Sequence, residues 1–95
     1  MNRLSSDEHE IVGSWIIESG KIVADENCQR ITWLTSSQLS KLATDESGWE
    51  VLYQDPSDSR LWVCTYPQGH LHGGGPPLLR CISEATAKEQ FGEYS

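Results

Sequence analysis

Short runs of β-forming residues, separated by turn residues, dominate the apolar pattern of the chain. Residues 11–18 contain Ile, Val, Trp, Ile and Ile, a composition that predicts one strand. Ser19-Gly20 suits a tight two-residue turn in which glycine supplies a positive φ, so residues 21–25 are expected to return antiparallel with Glu18 opposite Lys21. We expect one face of this hairpin to lie in the core; it carries Trp15, Ile17, Ile22 and Ala24.

A second hairpin is predicted around Asp55-Pro56. Proline presets φ at the second turn position and the aspartate can bond to the turn's backbone. Residues 49–54 and 61–66 flank this turn, and placing Gln54 opposite Leu61 brings three cross-strand pairs onto one face. These pairs are Tyr53 with Trp62, Val51 with Cys64, and Trp49 with Tyr66.

Two helices are predicted from capping residues and spacing. Asp25-Glu26-Asn27 precedes three apolar residues at helical spacing, Cys28, Ile31 and Leu34, which indicates a helix over 26–35. Ser83 suits the cap of a second helix over 84–91. Residues 36–44 fit a helix or a strand.

The order of elements predicts the fold class. With a loop over 67–77 and a last strand over 78–83, the chain is expected to be α+β, with a mainly antiparallel sheet of about five or six strands and one or two short helices. All 95 residues are expected to form a single domain, with residues 1–10 as a loose N-terminal segment.

Acidic residues outnumber basic ones by 14 to 7, for a net charge of −7 and a pI near 4.7. This field repels phosphate backbones and anionic lipids and attracts basic partners, so neither nucleic acid nor a membrane is expected as a ligand. The three cysteines are an odd number without CxxC spacing, and the N-terminus has no apolar signal region. Free thiols in the cytoplasm are therefore expected.

Two patterns raise the question of catalysis. His70 to Gly75 contains an HGGG run such as lipases use to hold an oxyanion, but the chain lacks the G-x-S-x-G nucleophile motif of that fold. Four metal-ligand types lie within eighteen residues: Cys64, His70, His72 and Cys81. Because their spacing contains no tight pair, a small metal-binding module or metal-dependent enzyme is only the alternative, and we expect no cofactor and no enzyme activity.

Protein binding is the leading interpretation of the second hairpin. Its aromatic residues beside acidic residues are typical of an interface, although the same aromatic face would also serve as core. We therefore expect a partner-binding surface formed by Trp49, Glu50, Tyr53, Asp55, Asp58, His70 and His72.

Several segments resemble the Imm27 family of bacterial immunity proteins, over about residues 12–85. The resembling segments are Trp15, Gly20-Lys21-Ile22-Val23-Ala24-Asp25, Cys28-Gln29-Arg30-Ile31, Gly48-Trp49-Glu50-Val51-Leu52-Tyr53-Gln54-Asp55-Pro56, Trp62, Thr65-Tyr66-Pro67 and His72-Gly73-Gly74-Gly75-Pro76-Pro77. The chain departs from the family pattern at Ser59, where glycine is usual, and at Leu61, where an aromatic residue is usual.

The resemblance implies a partner, not a reaction. Immunity proteins of polymorphic toxin systems bind a cognate toxin and block it. An acidic inhibitor suits a toxin with a basic cleft, such as a nuclease. We expect a monomer or a weak homodimer.

Overall fold

Two antiparallel sheets and two helices make up the fold in the computed structural model, which describes residues 1–67 and 75–93. The α+β class is thereby confirmed. The elements in chain order are β1 (Glu10–Val12), β2 (Trp15–Glu18), β3 (Lys21–Ala24), α1 (Glu26–Trp33), a π-helical turn (Leu34–Gln38), β4 (Ser40–Thr44), β5 (Val51–Gln54), β6 (Leu61–Thr65), β7 (Leu78–Ile82) and α2 (Glu84–Phe91).

The larger sheet has five strands in the order β1-β7-β6-β5-β4, and each neighbouring pair is antiparallel. Its two faces bury separate apolar clusters. One cluster joins Ile31 and Leu34 from α1 to Trp62 and Leu79, whereas the other joins Ala87 from α2 to Leu52 and Leu61. The sheet therefore lies between the two helices.

Local signals predicted most of these elements. Asp25 caps α1 by accepting a hydrogen bond from the Cys28 amide at 2.9 Å, and Ser83 caps α2 by accepting one from the Thr86 amide at 3.1 Å. The pairing of Gln54 with Leu61 is also confirmed. The ambiguous residues 36–44 divide between the π-helical turn and β4.

The strand predicted over residues 11–18 is instead two strands in different sheets. β1 ends at Val12 and pairs with β7, whereas β2 begins at Trp15 and pairs with β3. Gly13 lies between them and is buried, with its amide donating to the Pro77 carbonyl at 2.9 Å. A Cβ at Gly13 would lie 2.6 Å from the Pro77 oxygen and 2.7 Å from the Cys28 Sγ, so only glycine fits this crossing without a shift of its neighbours.

β2 and β3 form a separate two-stranded hairpin, residues 15–24, which we call the arm. The predicted pairing of Glu18 with Lys21 is confirmed, and both turn residues, Ser19 and Gly20, have positive φ, as a type I′ turn requires. The prediction of a core face was wrong: Ile17 is 79% exposed and Ile22 is 69% exposed. The β-forming composition indicated strands correctly, but Ile17 and Ile22 are left largely uncovered by the described residues.

Residues 1–10, expected to be loose, make specific contacts through two arginines. Arg30 donates to the carbonyl oxygens of Asn2 and Arg3, both at 2.9 Å, and both oxygens of the Glu8 carboxylate accept from its guanidinium at 2.7 Å. Arg60 donates to the Ser5 and Glu8 carbonyl oxygens at 2.8 and 2.7 Å. These bonds hold the segment against the body while Leu4 joins the core cluster beside α1.

Gly13→Ala should lower the free energy of unfolding by about 2 kcal/mol or more, because the added methyl group overlaps the Pro77 oxygen and the Cys28 sulfur. Urea denaturation measures this change. Ser14→Ala is the matched control at the exposed neighbouring position and should stay within about 0.5 kcal/mol of wild type. A Gly13→Ala variant as stable as wild type would contradict the close approach.

The Glu8–Arg30 pair should make stability depend on pH. The Arg30 guanidinium lowers the pKa of Glu8 from 4.5 to about 2. Because the folded-state pKa is the lower one, the contribution is complete above pH 4.5 and disappears as the pH falls toward 2.

We therefore expect the free energy of unfolding of wild type to exceed that of Glu8→Gln by about 1 kcal/mol at pH 6. The difference is small because solvent screens this partly exposed pair, and it should nearly vanish when the pH approaches the folded-state pKa of Glu8. Urea midpoints at several pH values test this, and a difference that does not change with pH would contradict it.

Candidate partner-binding site

Four of the residues predicted to bind a partner, Trp49, Glu50, Asp55 and Asp58, lie at two opposite ends of the five-stranded sheet. The turn 55–60 joins β5 to β6 at one end. Residues 49–50, which precede β5, and Tyr66, which follows β6, lie at the other end. The structure therefore separates Asp55 and Asp58 from Trp49 and Glu50.

Asp55 belongs to the hairpin turn rather than to an exposed surface. It is 7% exposed, and its Oδ1 accepts hydrogen bonds from the Ser57 amide at 2.9 Å and the Ser57 hydroxyl at 2.7 Å. The sequence predicted that Asp55 bonds to the backbone of the turn, and this bond is present. It engages Oδ1 of the carboxylate within the turn. Asp55 was expected to belong to the partner-binding surface, but its carboxylate is buried in the turn.

The second acid of this turn is paired with a neighbouring arginine. Asp58 is exposed, and it accepts from the Arg60 amide at 3.0 Å and from the Arg60 Nε at 2.6 Å. These bonds lower the pKa of Asp58. The guanidinium also lies 5.0 Å above the Trp62 ring. Much of the negative charge of Asp58 is therefore balanced locally.

The departure from the family pattern at Ser59 falls at a position with φ of 65°. Glycine adopts this left-handed conformation without steric cost, whereas serine does so less readily. The Ser59 amide still closes the turn by donating to the Asp55 carbonyl at 2.7 Å. The hairpin therefore keeps a turn that favours glycine despite the substitution.

Trp49 and Tyr66 form an exposed aromatic pair at the other end of the hairpin. Their ring centroids lie 5.9 Å apart with the planes at 75°, an edge-to-face arrangement. Trp49 is 54% exposed and Tyr66 is 38% exposed. The predicted contact between these two residues is confirmed, and it extends one face of the hairpin beyond the hydrogen-bonded ladder.

Acidic residues surround this pair in the turn that joins β4 to β5. Asp45 accepts from the Ser47 hydroxyl at 2.7 Å and the Gly48 amide at 3.0 Å, and these bonds lower its pKa. Glu50 accepts from the Gln90 side chain of α2 at 2.7 Å. Glu46 is exposed between them. Trp49 therefore lies in a rigid turn with a negative rim.

The four aromatic residues of the hairpin divide between core and surface. Trp62 is fully buried and Tyr53 is half-buried against the same cluster, so these two are core, unlike Trp49 and Tyr66. Burial raises the pKa of Tyr53 and raises the pKa of the neighbouring Cys64 thiol to about 11. Tyr53 thus contributes part of its side chain to the core of the hairpin.

The alternative metal site depends on residues that the structure does not describe. His70 and His72 lie outside residues 1–67 and 75–93, whereas Cys64 and Cys81 face the same side of neighbouring strands. All three cysteines are free thiols, as predicted. Within the described part of the chain, no group of three metal-ligand side chains comes together.

The exposed apolar side chains concentrate at the sheet end that carries the arm. This arm end consists of residues 12–26, 44–51, 65–67 and 75–78. The strand registers place Val12, Thr44, Val51, Thr65 and Leu78 at this one end of the sheet, with the arm following β1 at one edge and the turn 45–50 following β4 at the other. Except for Met1, every exposed large apolar residue of the described chain lies there: Val12, Trp15, Ile16, Ile17, Ile22, Trp49 and Tyr66.

The arm end also carries most of the net charge. Its ranges hold six acidic residues and one lysine, so they contribute five of the seven negative charges: Glu18, Asp25, Glu26, Asp45, Glu46 and Glu50 against Lys21. Within residues 1–67 and 75–93, neither helix has the length and apolar character needed to cross a membrane.

The sequence interpretation missed the arm as a candidate surface. Ile17 and Ile22 were assigned to the core, although a short hairpin that is apolar in nearly every position was the available signal. Gly13 was a second signal, because a glycine within a strand pattern often marks a close backbone approach.

Asp55→Ala should lower the free energy of unfolding by about 1–2 kcal/mol, because the Ser57 amide and hydroxyl lose the buried carboxylate that accepts their hydrogen bonds. Asp55→Asn retains an acceptor oxygen and should recover most of this loss. Glu46→Ala removes an exposed acid and should have little effect. Thermal and urea unfolding of the three variants measure this order, and equal stability of Asp55→Ala and Glu46→Ala would contradict it.

Comparison with protein families identifies the chain over most of its length. The model of one family, Immunity protein 27 (Imm27), matches residues 17–83. This range includes the turn of the arm, the β5–β6 hairpin and β7. Neither the curated proteins nor the solved structures provide a match. The match covers more than half of the chain and confirms the resemblance seen in the sequence. The chain belongs to the Immunity protein 27 family.

Proposed function

We propose that this protein neutralises a cognate bacterial toxin by binding it stoichiometrically in the cytoplasm, without catalysing a reaction. The observation that carries the proposal is the family match over residues 17–83. The exposed aromatic pair Trp49–Tyr66 within an acidic rim supports it, because desolvated aromatic anchors supply much of the energy of protein interfaces.

The negative field favours a toxin with a basic surface, such as the cleft of a nuclease. Opposite potentials accelerate diffusional encounter and fix orientation, and the net charge of −7 supplies one partner of that attraction. Five of those charges lie at the arm end, and Asp45, Glu46 and Glu50 contribute three of its acids within the turn that carries Trp49.

Of the seven residues predicted for toxin binding, Trp49 and Glu50 form the contact surface of this proposal. Asp55 and Tyr53 act through the shape of the hairpin, and Asp58 lies at the opposite end of the sheet. His70 and His72 remain candidate toxin contacts from the sequence. In this proposal the protein acts as a single domain, and when free it is a monomer or a weak homodimer.

Calorimetric titration against the purified toxin of the same locus should give one-to-one binding that also abolishes the toxin's activity. Trp49→Ala should raise Kd about tenfold or more, with unfolding unchanged because the ring is exposed. A toxin that neither binds the protein nor loses activity would reject the proposed function.

Charge reversal at the two sheet ends tests the location. Glu46→Lys and Asp58→Lys change the net charge equally, so they differ only in place and local bonds. Glu46→Lys should slow association several-fold at low salt and weaken its salt dependence, whereas Asp58→Lys should have a smaller effect. The reverse order would place the toxin at the 55–60 turn.

A further inference from the structure

The arm exposes an apolar face to solvent, and this face does not stabilise the hairpin itself. Ile17 and Ile22 are cross-strand partners near its tip, 79% and 69% exposed, and Trp15 continues the same face at 38%. Isolated two-stranded hairpins are marginal in water, and exposed apolar edges promote association. Polar residues at these positions would form the same strands without that hazard.

The two faces of the arm differ in polarity, and only one of them suits an apolar contact with a partner. The face with Ile17 and Ile22 is apolar throughout, whereas the opposite face ends in Glu18 and Lys21 at the tip. Val23 on that opposite face is half-buried. Only the first face therefore presents a continuous apolar surface to solvent.

The base of the arm is held in a fixed position. The Asp25 amide donates to the Ser14 carbonyl at 3.0 Å, and the Cys28 thiol donates to the same oxygen at 3.3 Å. The Asn27 side chain donates to the Val12 carbonyl at 3.0 Å. With Gly13 packed against Pro77, these bonds reduce the conformational freedom that binding would otherwise remove.

Charge identifies the kind of partner that would cover this face. Residues 12–26 carry three acids against one lysine, and the whole chain has a net charge of −7, so a second copy of the chain would bring charge of the same sign to the contact. An apolar patch flanked by lysine and arginine would instead be attracted at the rim while it covers the isoleucines.

From these observations we propose that the face of Trp15, Ile17 and Ile22 is the docking surface for an apolar patch with a basic rim on the toxin. The inference rests on the proposed function and deepens it. The apolar face supplies the buried centre of the interface, and Glu18 and Glu26, the acids at the tip and base of the arm, belong to its rim.

The test compares the two faces of the arm. Ile17→Thr/Ile22→Thr changes the docking face, and Ile16→Thr makes the same chemical change on the other face. Threonine keeps the β-branched shape, and all three side chains are exposed, so the arm should fold in both variants. Calorimetry against the toxin should show Kd raised about 30-fold or more for the double variant and less than about threefold for Ile16→Thr.

A charge variant tests the partner's chemistry without changing the face. Lys21→Glu removes the only lysine of the arm end and should accelerate association with a basic-rimmed toxin at low salt, an effect that high salt abolishes. Slower association would contradict the proposal that the toxin's docking patch has a basic rim.

The outcomes separate the two proposals. If wild type binds the toxin and the double variant binds equally well, the docking face is wrong while the proposed function stands. If wild type does not bind, the proposed function fails and the inference fails with it. If light scattering shows a wild-type dimer that the double variant loses, a second copy covers the face and the toxin assignment is overturned.

Discussion

The contact of Gly13 with Cys28 and Pro77 determines where the arm separates from the five-stranded sheet. At this point the chain leaves the five-stranded sheet, and the absence of a side chain lets the backbone pass between the first turn of α1 and the start of β7. The next residue, Ser14, has its carbonyl oxygen held by α1. Because both sides of the crossing are fixed, the arm is a defined extension of the body, although its own residues bury little surface.

The two ends of the sheet are built differently, and this difference underlies the functional interpretation. At the turn 55–60, polar groups satisfy one another: Asp55 stabilises the turn, and Arg60 links it to the N-terminal segment. At the arm end, apolar side chains and negative charges remain exposed together. The satisfied polar groups at the turn 55–60 stabilise the folded chain itself. The exposed apolar groups at the arm end would instead stabilise a complex, because a partner that covers them removes apolar surface from water.

Local signals predicted the elements well, and long-range contacts account for what they missed. The caps at Asp25 and Ser83 and the pairing of Gln54 with Leu61 depend on residues close in sequence. The exposure of Ile17 depends on which elements pack over it, and alternation along a strand does not contain that information. The bonds from Arg60 to the N-terminal segment join residues more than fifty positions apart, so no periodicity indicates them. Among the candidate site residues, aromatic and acidic character indicated Trp49 and its rim, but the same reasoning also selected Asp55, whose carboxylate the turn occupies.

Hydrogen exchange of backbone amides, measured with and without the purified toxin, tests the central claim most directly: that the partner binds the arm end. We expect slower exchange in residues 15–24 and 45–50 of the complex, with the turn 55–60 unchanged. Slower exchange confined to the turn 55–60, or a stable complex that leaves the arm's exchange unaltered, would contradict it.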